Sequence, residues 1–192
     1  MTAIPNPQRR SEKSHQAILA AALGLCAEKG YARVTVEAIA ARAGVSKKTI
    51  YRWWPSKGAV LLEAVADAVV THTPFPDTGD LATDLHTHMS GIVKLLSSPP
   101  LGPAYSGILS EMGHDDALAR AVDEELVGPR VEAAVGRLRS AQRQGELRPG
   151  ADLGLAVEML YGPVYYRHVL RRPPPSSERI ASLIGHVLRS FS

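Results

Sequence analysis

The sequence lacks the patterns on which several common chemistries depend. Cys26 is the only cysteine among its 192 residues, so the chain cannot form an internal disulfide. It has no Gly-rich phosphate loop, no Gly-x-Ser-x-Gly turn and no His-Glu-x-x-His motif. Asp84 and His88 have helical spacing for a shared metal, but His86, two residues from His88, faces another side. We therefore expect no catalysis, no metal and no cofactor.

Long apolar runs and alternating patterns are also missing. No uncharged apolar run approaches the ~20 residues that a membrane-spanning helix needs. Residues 1–10 are polar and contain two prolines, unlike the apolar centre of a signal peptide. These absences predict a cytoplasmic protein without a membrane partner. No stretch alternates apolar and polar residues for long enough to form a strand, so the sequence predicts an all-α fold.

The most informative segment present is Thr35–Lys57, which contains two short amphipathic helical patterns. Gly44 lies between them, where a sharp turn favours a residue that tolerates positive φ. Thr35 can cap the first helix and Ser46 the second, while Pro55 ends the second. This arrangement is typical of a helix-turn-helix, whose second helix enters the major groove of DNA.

The second helix of this motif has one apolar side and one cationic side. Ile50 and Trp54 are four residues apart and therefore point inward together. The outward positions carry Lys47, Lys48, Tyr51 and Arg52, with Thr49 at the border. An isolated helix of this kind is usually only a solvated surface. Here the turn glycine and both caps occur in register with it, which favours binding to duplex DNA.

Charge is distributed unevenly along the chain. Residues 1–57 contain 10 Lys and Arg against 3 Asp and Glu, a formal charge of +7. Residues 58–192 contain 12 against 16, a formal charge of −4, and the two parts sum to the total of +3. A basic module attracts phosphate and an acidic remainder does not, so the DNA partner is expected at the N-terminal part.

The Ala-Gly-Val-Ser, Thr-Ile-Tyr-Arg and Ser-Lys elements of Thr35–Lys57 resemble the DNA-binding domain of the TetR family of transcriptional repressors. The strong resemblance extends from about Ser11 to Leu62. It departs from the common pattern at Trp53-Trp54, where His or Tyr followed by Phe is more usual, and at Gly58, where an acidic residue is frequent. The first departure could alter base preference.

The resemblance implies roles for individual residues. Thr35 and Lys57 would contact phosphates from helix N-termini, and Tyr51 and Trp53 would flank the DNA backbone. The remaining implied DNA contacts are Ser46, Lys47, Lys48, Thr49 and Arg52. The resemblance also implies a second helical domain that binds a small molecule and forms a homodimer.

We expect three parts along the chain: a disordered basic tail at 1–10, a helix-turn-helix domain at 11–57 and an effector-binding and dimerisation domain at 58–192. About nine helices are predicted in total. Outside the motif they cover residues 11–29, 56–70, 81–96, 103–112, 115–144, 152–171 and 177–191. Gly128-Pro129 should kink or divide the long segment 115–144, because proline removes a helical hydrogen bond.

Soft or amphipathic side chains in the second domain are candidates for an effector pocket. Methionine adapts its shape, and tyrosine offers a hydroxyl within an apolar wall. The candidates are Met89, Tyr105, Met112, Met159, Tyr161, Tyr165 and Tyr166. Each could equally fill the protein core. A small, mainly apolar or aromatic effector is expected.

The last two helices are candidates for the dimer interface. The final helix has an apolar stripe, and the preceding one has apolar residues along one side. The interface candidates are Leu155, Gly162, Ile180, Leu183, Ile184 and Val187. A terminal amphipathic helix can also pack on its own domain. Helix-turn-helix proteins read two half-sites with two copies, which favours pairing.

These observations predict a homodimeric repressor that binds operator DNA and is released by a small-molecule effector. Three alternatives stay open. One is an architectural DNA-binding protein without an effector, and another is a transcriptional activator of the same fold. The third is an enzyme or small-molecule-binding protein that retains the motif without using it.

Overall fold

The computed structural model describes the backbone of residues 7–192 and the side chains of residues 11–192. The α-helices are α1 (Pro7–Lys29), α2 (Val36–Ala43), α3 (Lys47–Tyr51), α4 (Lys57–His72), α5 (Leu81–Ser97), α6 (Leu101–Met112), α7 (Asp116–Val122), α8 (Gly128–Gln144), α9 (Leu153–Val169) and α10 (Ser177–Phe191). A π-helical turn, Asp123–Val127, joins α7 to α8. With α7, this turn and α8 counted as one, the described residues form nine helices, besides a short 3-10 helix at Tyr31–Arg33, and no strand, which confirms the all-α prediction.

The first helix begins earlier than the sequence suggested. α1 starts at Pro7, four residues before Ser11, so residues 7–10 are helical and the prediction of a disordered tail is wrong for them. Proline at the first helical position loses nothing, because the N–H it lacks would have no partner there. The prediction for residues 1–6 lies outside the described residues.

Helix starts and the predicted break follow local chemistry. The side chains of Asp80, Asp152 and Ser176 each accept a hydrogen bond from a backbone N–H in the first turn of α5, α9 and α10. The predicted break near Gly128-Pro129 is present as the π-helical turn, after which α8 restarts with Pro129 in its first turn. Proline has no N–H to donate into the preceding turn, which favours a break in the regular α-helix at Pro129.

The helices form two compact units. Unit 1 is Met1–Ala68 with Pro99–Val122, and unit 2 is Val69–Ser98 with Asp123–Ser192. Packing thus groups the chain differently from the division at residue 57 drawn from sequence. α6 belongs to unit 1 because it packs closely on the N-terminal part of the chain. The closest approach is at Gly107, where an added Cβ would fall 2.0 Å from the ring of Tyr31. This glycine lets α6 pack directly on the N-terminal helices.

The core of unit 1 contains the apolar stripe of α1. Ile18, Ala22, Leu25 and Cys26 are all buried there. Burial raises the pKa of the Cys26 thiol, with the charge of Lys57 opposing it. Cys26 is therefore a core residue whose buried thiol is held in its protonated, less reactive form.

A buried ion pair organises unit 2. The Arg137 guanidinium donates from Nη2 to the Asp84 carboxylate at 2.7 Å and from Nε to the carbonyl of Pro76 at 3.1 Å. Thr78 donates to the same carboxylate through both its N–H and its hydroxyl. Burial alone would raise the pKa of Asp84, but the bonds from Arg137 and Thr78 outweigh it and lower that pKa. This network fixes the segment before α5 against α8.

Candidate nucleic-acid interface

The helix-turn-helix geometry is that expected from its caps. The Thr35 hydroxyl accepts from the N–H of Ala38 at 3.2 Å, and the Ser46 hydroxyl accepts from the N–H of Thr49 at 3.2 Å. Gly44 has φ 67°, in the left-handed region. These three residues set the turn between α2 and α3, so α3 occupies the position of a recognition helix.

The sides of α3 are separated as the sequence predicted. Ile50 is 0% exposed, and Trp54, just beyond the helix, is 3% exposed. Thr49 is half-buried, and the other outward residues are exposed: Ser46, Lys47, Lys48, Tyr51 and Arg52. The cationic and hydroxyl groups proposed to contact DNA are therefore grouped on one accessible surface, with Thr35 exposed at the start of α2.

One of these cations is engaged in an ion pair. Lys47 Nζ lies 3.0 Å from Glu37 Oε1, and both side chains are exposed. This hydrogen bond raises the pKa of Lys47 and lowers that of Glu37. Exposed pairs of this kind are weak because water and salt screen them. A DNA phosphate can therefore replace Glu37 as the partner of Lys47.

Aromatic side chains form a cluster beside the end of α3. The Arg52 guanidinium lies 5.0 Å from the centre of the Trp53 ring, and Trp53 meets Trp54 edge-on at 5.4 Å. His15 of α1 contacts both rings, at 5.3 and 4.8 Å. Trp54 donates from Nε1 to Glu63 of α4 at 2.6 Å. Sequence reasoning missed His15 and Glu63, because no local pattern joins these separate helices.

Lys57 does not share the exposure of the α3 cations. Its ammonium lies 4.6 Å above the ring of Tyr31 and 3.4 Å from the Tyr31 carbonyl oxygen. Glu111 is 3.8 Å away, and the Lys57 side chain is only 23% exposed. A phosphate contact by Lys57 stays a prediction, and it requires this side chain to leave Tyr31.

The structure does not bring the effector candidates together. Tyr105 and Met112 belong to unit 1, whereas the other candidates belong to unit 2, so one pocket shared by all seven stays a prediction. Met159 and Tyr166 are 40% and 56% exposed and lie on the surface of α9. Only Met89, Tyr161 and Tyr165 are at least partly buried within unit 2.

A second aromatic cluster lies beside Tyr161 in unit 2. The Phe75 ring stacks on His88 at 4.0 Å, and Tyr161 meets His88 edge-on at 5.9 Å. His88 Nδ1 bonds the carbonyl of Pro74 at 3.0 Å, and burial lowers the pKa of His88 to about 4. The hydroxyl of Tyr161 is buried and has no hydrogen-bond partner among the described residues. Phe75 and His88 were not expected, since Phe75 lies in a proline-rich linker.

The dimer candidates divide into buried and exposed residues. Ile180, Ile184 and Val187 are each 2% exposed within unit 2, where α10 packs on α5 and α9. These three side chains face the core of unit 2 in the protomer, so a place in the dimer interface stays a prediction for them. Leu183 is half-buried, whereas Leu155 and Gly162 of α9 are exposed.

Exposed apolar residues continue along α9. Spaced at four and three residues from Leu155 to Val169, and with Leu170 just after the helix, they form a single stripe, here called the α9 face: Leu155, Met159, Gly162, Tyr166, Val169 and Leu170. This spacing is that of the seam between paired helices. The sequence pattern had already indicated one side of this helix, but not that it is exposed.

The described residues offer neither a metal site nor a membrane-spanning helix. No group of three or more His, Cys, Asp or Glu side chains there could hold a metal ion. No helix in that part of the chain is both long and apolar enough to span a bilayer.

Comparison with known proteins places the chain in a family. Residues 18–64 match the model of bacterial regulatory proteins of the tetR family, and residues 75–187 match the tetracyclin repressor-like C-terminal domain. The HTH-type transcriptional regulator YdeS of Bacillus subtilis is 34% identical over 94% of this chain and 90% of its own. The DNA-binding transcriptional repressor TetR of Mycobacteroides abscessus is 32% identical over 85% and 86%.

A solved structure agrees with these matches. The TetR family transcription regulator SCO0332 superposes with a TM-score of 0.81 and 32% identity, over 94% of this chain and 99% of its own. The proteins matched are transcriptional regulators and not enzymes. The chain belongs to the TetR family of DNA-binding transcriptional regulators.

Proposed function

We propose that this protein is a homodimeric repressor that leaves its operator when a small apolar or aromatic effector binds. The observation that carries the DNA part is the exposed surface of α3, with Lys47, Lys48, Tyr51 and Arg52 opposite a buried Ile50. Lysine and arginine there can reach base edges and phosphates in the major groove. The relative from Mycobacteroides abscessus is named a repressor, which supports the direction of control.

The α9 face supports pairing of two copies. It exposes large apolar side chains that a lone protomer leaves in water, among them Leu155 at 46% and Val169 at 60% exposure. Gly162 lies in the middle of the stripe, and a Cβ added there would meet no atom within 4 Å. A second copy of α9 can therefore approach closely at this point. Two-fold pairing presents the same patch from both copies, as a closed dimer requires.

The effector part of the proposal rests on unit 2. A buried hydroxyl without a partner, as at Tyr161, is costly unless a ligand or water completes it. Tyr161 lies beside the stacked rings of Phe75 and His88, which offer flat surfaces to an aromatic molecule. We assign Met89 and Tyr165 to the same region because they are the other sequence candidates with buried surface in unit 2.

Release follows from linkage between effector and DNA. An effector must prefer the conformation that fits the operator less well, since equal affinity for both shifts nothing. A coupling of about 1–3 kcal/mol lowers operator affinity ~5–150-fold. α4 includes residues of both units, from Lys57 to Ala68 in one and from Val69 to His72 in the other, so it provides a direct covalent route for this coupling.

Selection from a random duplex pool tests the DNA part. We expect the protein to enrich one motif with two related half-sites, about one helical turn or a multiple apart. Lys48→Ala should relax the preference at particular base pairs, each contact contributing about 1–3 kcal/mol. If no motif were enriched and every duplex bound with similar affinity, the architectural alternative would replace the repressor.

The effector part has its own test. A compound that releases the selected duplex should bind the protein more weakly when that duplex is present, and by the same factor by which it weakens DNA binding. Tyr161→Phe removes the hydroxyl but keeps the ring, so it should lower affinity for the compound and leave DNA affinity unchanged. A compound that binds equally well with and without DNA would contradict ligand-controlled release.

A further inference from the structure

The carboxylate of Glu63 connects α4 to two other helices of unit 1. Its Oε2 accepts a hydrogen bond from Nε1 of Trp54 at 2.6 Å. Its Oε1 lies 2.8 Å from Nε2 of His15, which is part of α1. Trp54 is three residues beyond the end of α3. One side chain on α4 therefore uses both of its oxygens to hold the end of the recognition helix and α1.

Trp54 needs such a partner because its indole is buried. The residue is 3% exposed, so water cannot replace a missing acceptor. A buried N–H left without an acceptor costs about 1–3 kcal/mol. Phenylalanine would fill the same core position without any acceptor, since it has no N–H. The hydrogen bond from Trp54 to Glu63 therefore adds a directional constraint that an apolar ring would not supply.

Ring contacts extend this constraint to residues proposed to meet DNA. His15 packs on both tryptophans, and Trp54 meets Trp53 edge-on at 5.4 Å. The Arg52 guanidinium in turn lies over the Trp53 ring. The chain of contacts runs from the Glu63 carboxylate to two side chains that end the recognition surface, and every link is between neighbouring groups in unit 1.

We propose that Glu63 is a positioning residue for DNA recognition, which orients Trp53 and Arg52 through Trp54 and His15 without touching DNA itself. The negative charge of Glu63 distinguishes a positioning role from a purely electrostatic effect on DNA binding, because the two predict changes of opposite sign. A carboxylate near a polyanion opposes binding, so removing its charge should tighten DNA binding if charge alone mattered. Positioning requires the opposite sign, because loss of the anchor releases the aromatic cluster. The inference rests on the proposed DNA interface.

The experiment compares variants on one duplex, the sequence that the wild-type protein enriches from a random pool. Glu63→Leu should weaken binding about tenfold or more, the equivalent of one lost buried hydrogen bond. Glu63→Gln retains a carbonyl oxygen for Trp54 and should stay within about threefold of wild type.

The two tryptophans of the chain provide a direct signal for the anchor. An NMR spectrum should show two indole N–H resonances, which Trp53→Phe assigns. The Trp54 resonance should move further in Glu63→Leu, which removes the acceptor, than in Glu63→Gln, which keeps one. Wild-type or tighter DNA binding by Glu63→Leu, together with a moved Trp54 resonance, would overturn the inference.

A double variant covers the case in which Glu63→Leu does not fold. Trp54→Phe with Glu63→Leu removes the indole donor and its acceptor together, so no buried indole N–H is left unpaired. We expect it to fold and still bind the duplex more weakly than wild type. Full wild-type affinity in a folded double variant would show that the pair serves stability alone, and would refute positioning. Failure of the wild-type protein to bind any duplex would instead refute the proposed DNA interface.

Discussion

Introducing a charge on α9 should separate dimerisation from folding. Met159 lies in the middle of the α9 face and is 40% exposed in the protomer, whereas Ile184 on α10 is 2% exposed. Lysine has good helix propensity, so Met159→Lys should leave the fold of each protomer intact. In a two-fold interface the change occurs twice, and each ammonium would be placed in an apolar seam without a partner.

The cost of Met159→Lys to the free energy of dimerisation follows from the exposure of Met159. Full burial of a methionine contributes about 1.5–3 kcal/mol, so covering the exposed 40% contributes about 1 kcal/mol for each copy. Trapping an unpaired ammonium adds several kcal/mol per ion. A total of about 5 kcal/mol or more raises the dimer dissociation constant over a thousandfold, since each 1.4 kcal/mol is about tenfold. Met159→Lys should therefore be a monomer at micromolar concentration.

Sedimentation velocity measures whether each variant is a dimer or a monomer, and far-UV circular dichroism measures whether it keeps its helices. Met159→Lys should sediment as a helical monomer with reduced operator affinity, because one half-site offers fewer contacts. Ile184→Lys should instead lose helical signal, because it buries a charge in the core of unit 2. An unchanged dimer for Met159→Lys would move the interface away from the α9 face. A folded, native-like monomer for Ile184→Lys would refute the core assignment.

Three further perturbations test individual interactions. Glu37→Gln should tighten operator binding in a low-salt titration, because it frees Lys47 from its exposed ion pair. His88 is held neutral by burial, with its pKa lowered to about 4 from an ordinary value near 6.5. The contribution of neutral His88 to the free energy of unfolding should therefore be fully present above about pH 6.5 and fall by ~3 kcal/mol as pH drops toward 4. In His88→Phe the melting temperature should depend less on pH over this range. Asp84→Asn should cost about 3–5 kcal/mol in chemical denaturation at neutral pH, because Arg137 would stay buried without its counter-charge. The lowered pKa of Asp84 means that this contribution is present above about pH 4 and is lost as pH falls further, so the difference between the two proteins should shrink in acid.

Local chemistry made most of the fold predictable from sequence. Asp80, Asp152 and Ser176 cap α5, α9 and α10, because a side chain that bonds its own first turn acts over a short range of sequence. The turn at Gly44 and the inward side of α3 follow from the same kind of local rule. The cationic surface of α3 could be named residue by residue for this reason.

Contacts between residues far apart in the sequence could not be predicted from local patterns. The stripe containing Ile184 shows that one side of α10 is covered, but periodicity does not say whether its own domain or a second copy covers it. Similarly, the tyrosines and methionines were grouped by type, although packing places Tyr105 in unit 1 and Tyr161 in unit 2. The contact between Trp54 and Glu63 depends on how α4 crosses the end of α3, which no spacing within either segment reveals.

The contact of Gly107 with Tyr31 sets a limit on how this regulator can be recombined. Residues 99–122 belong to the same compact unit as the DNA-binding helices, although they are separated from them by α5. A fragment or chimera that ends near residue 57 would leave the Tyr31 surface without α6, and any α6 taken from a relative would need a residue without a side chain at the Gly107 position. The portable DNA-binding module of this chain is therefore discontinuous, and grafting it onto a foreign sensor requires two segments of sequence.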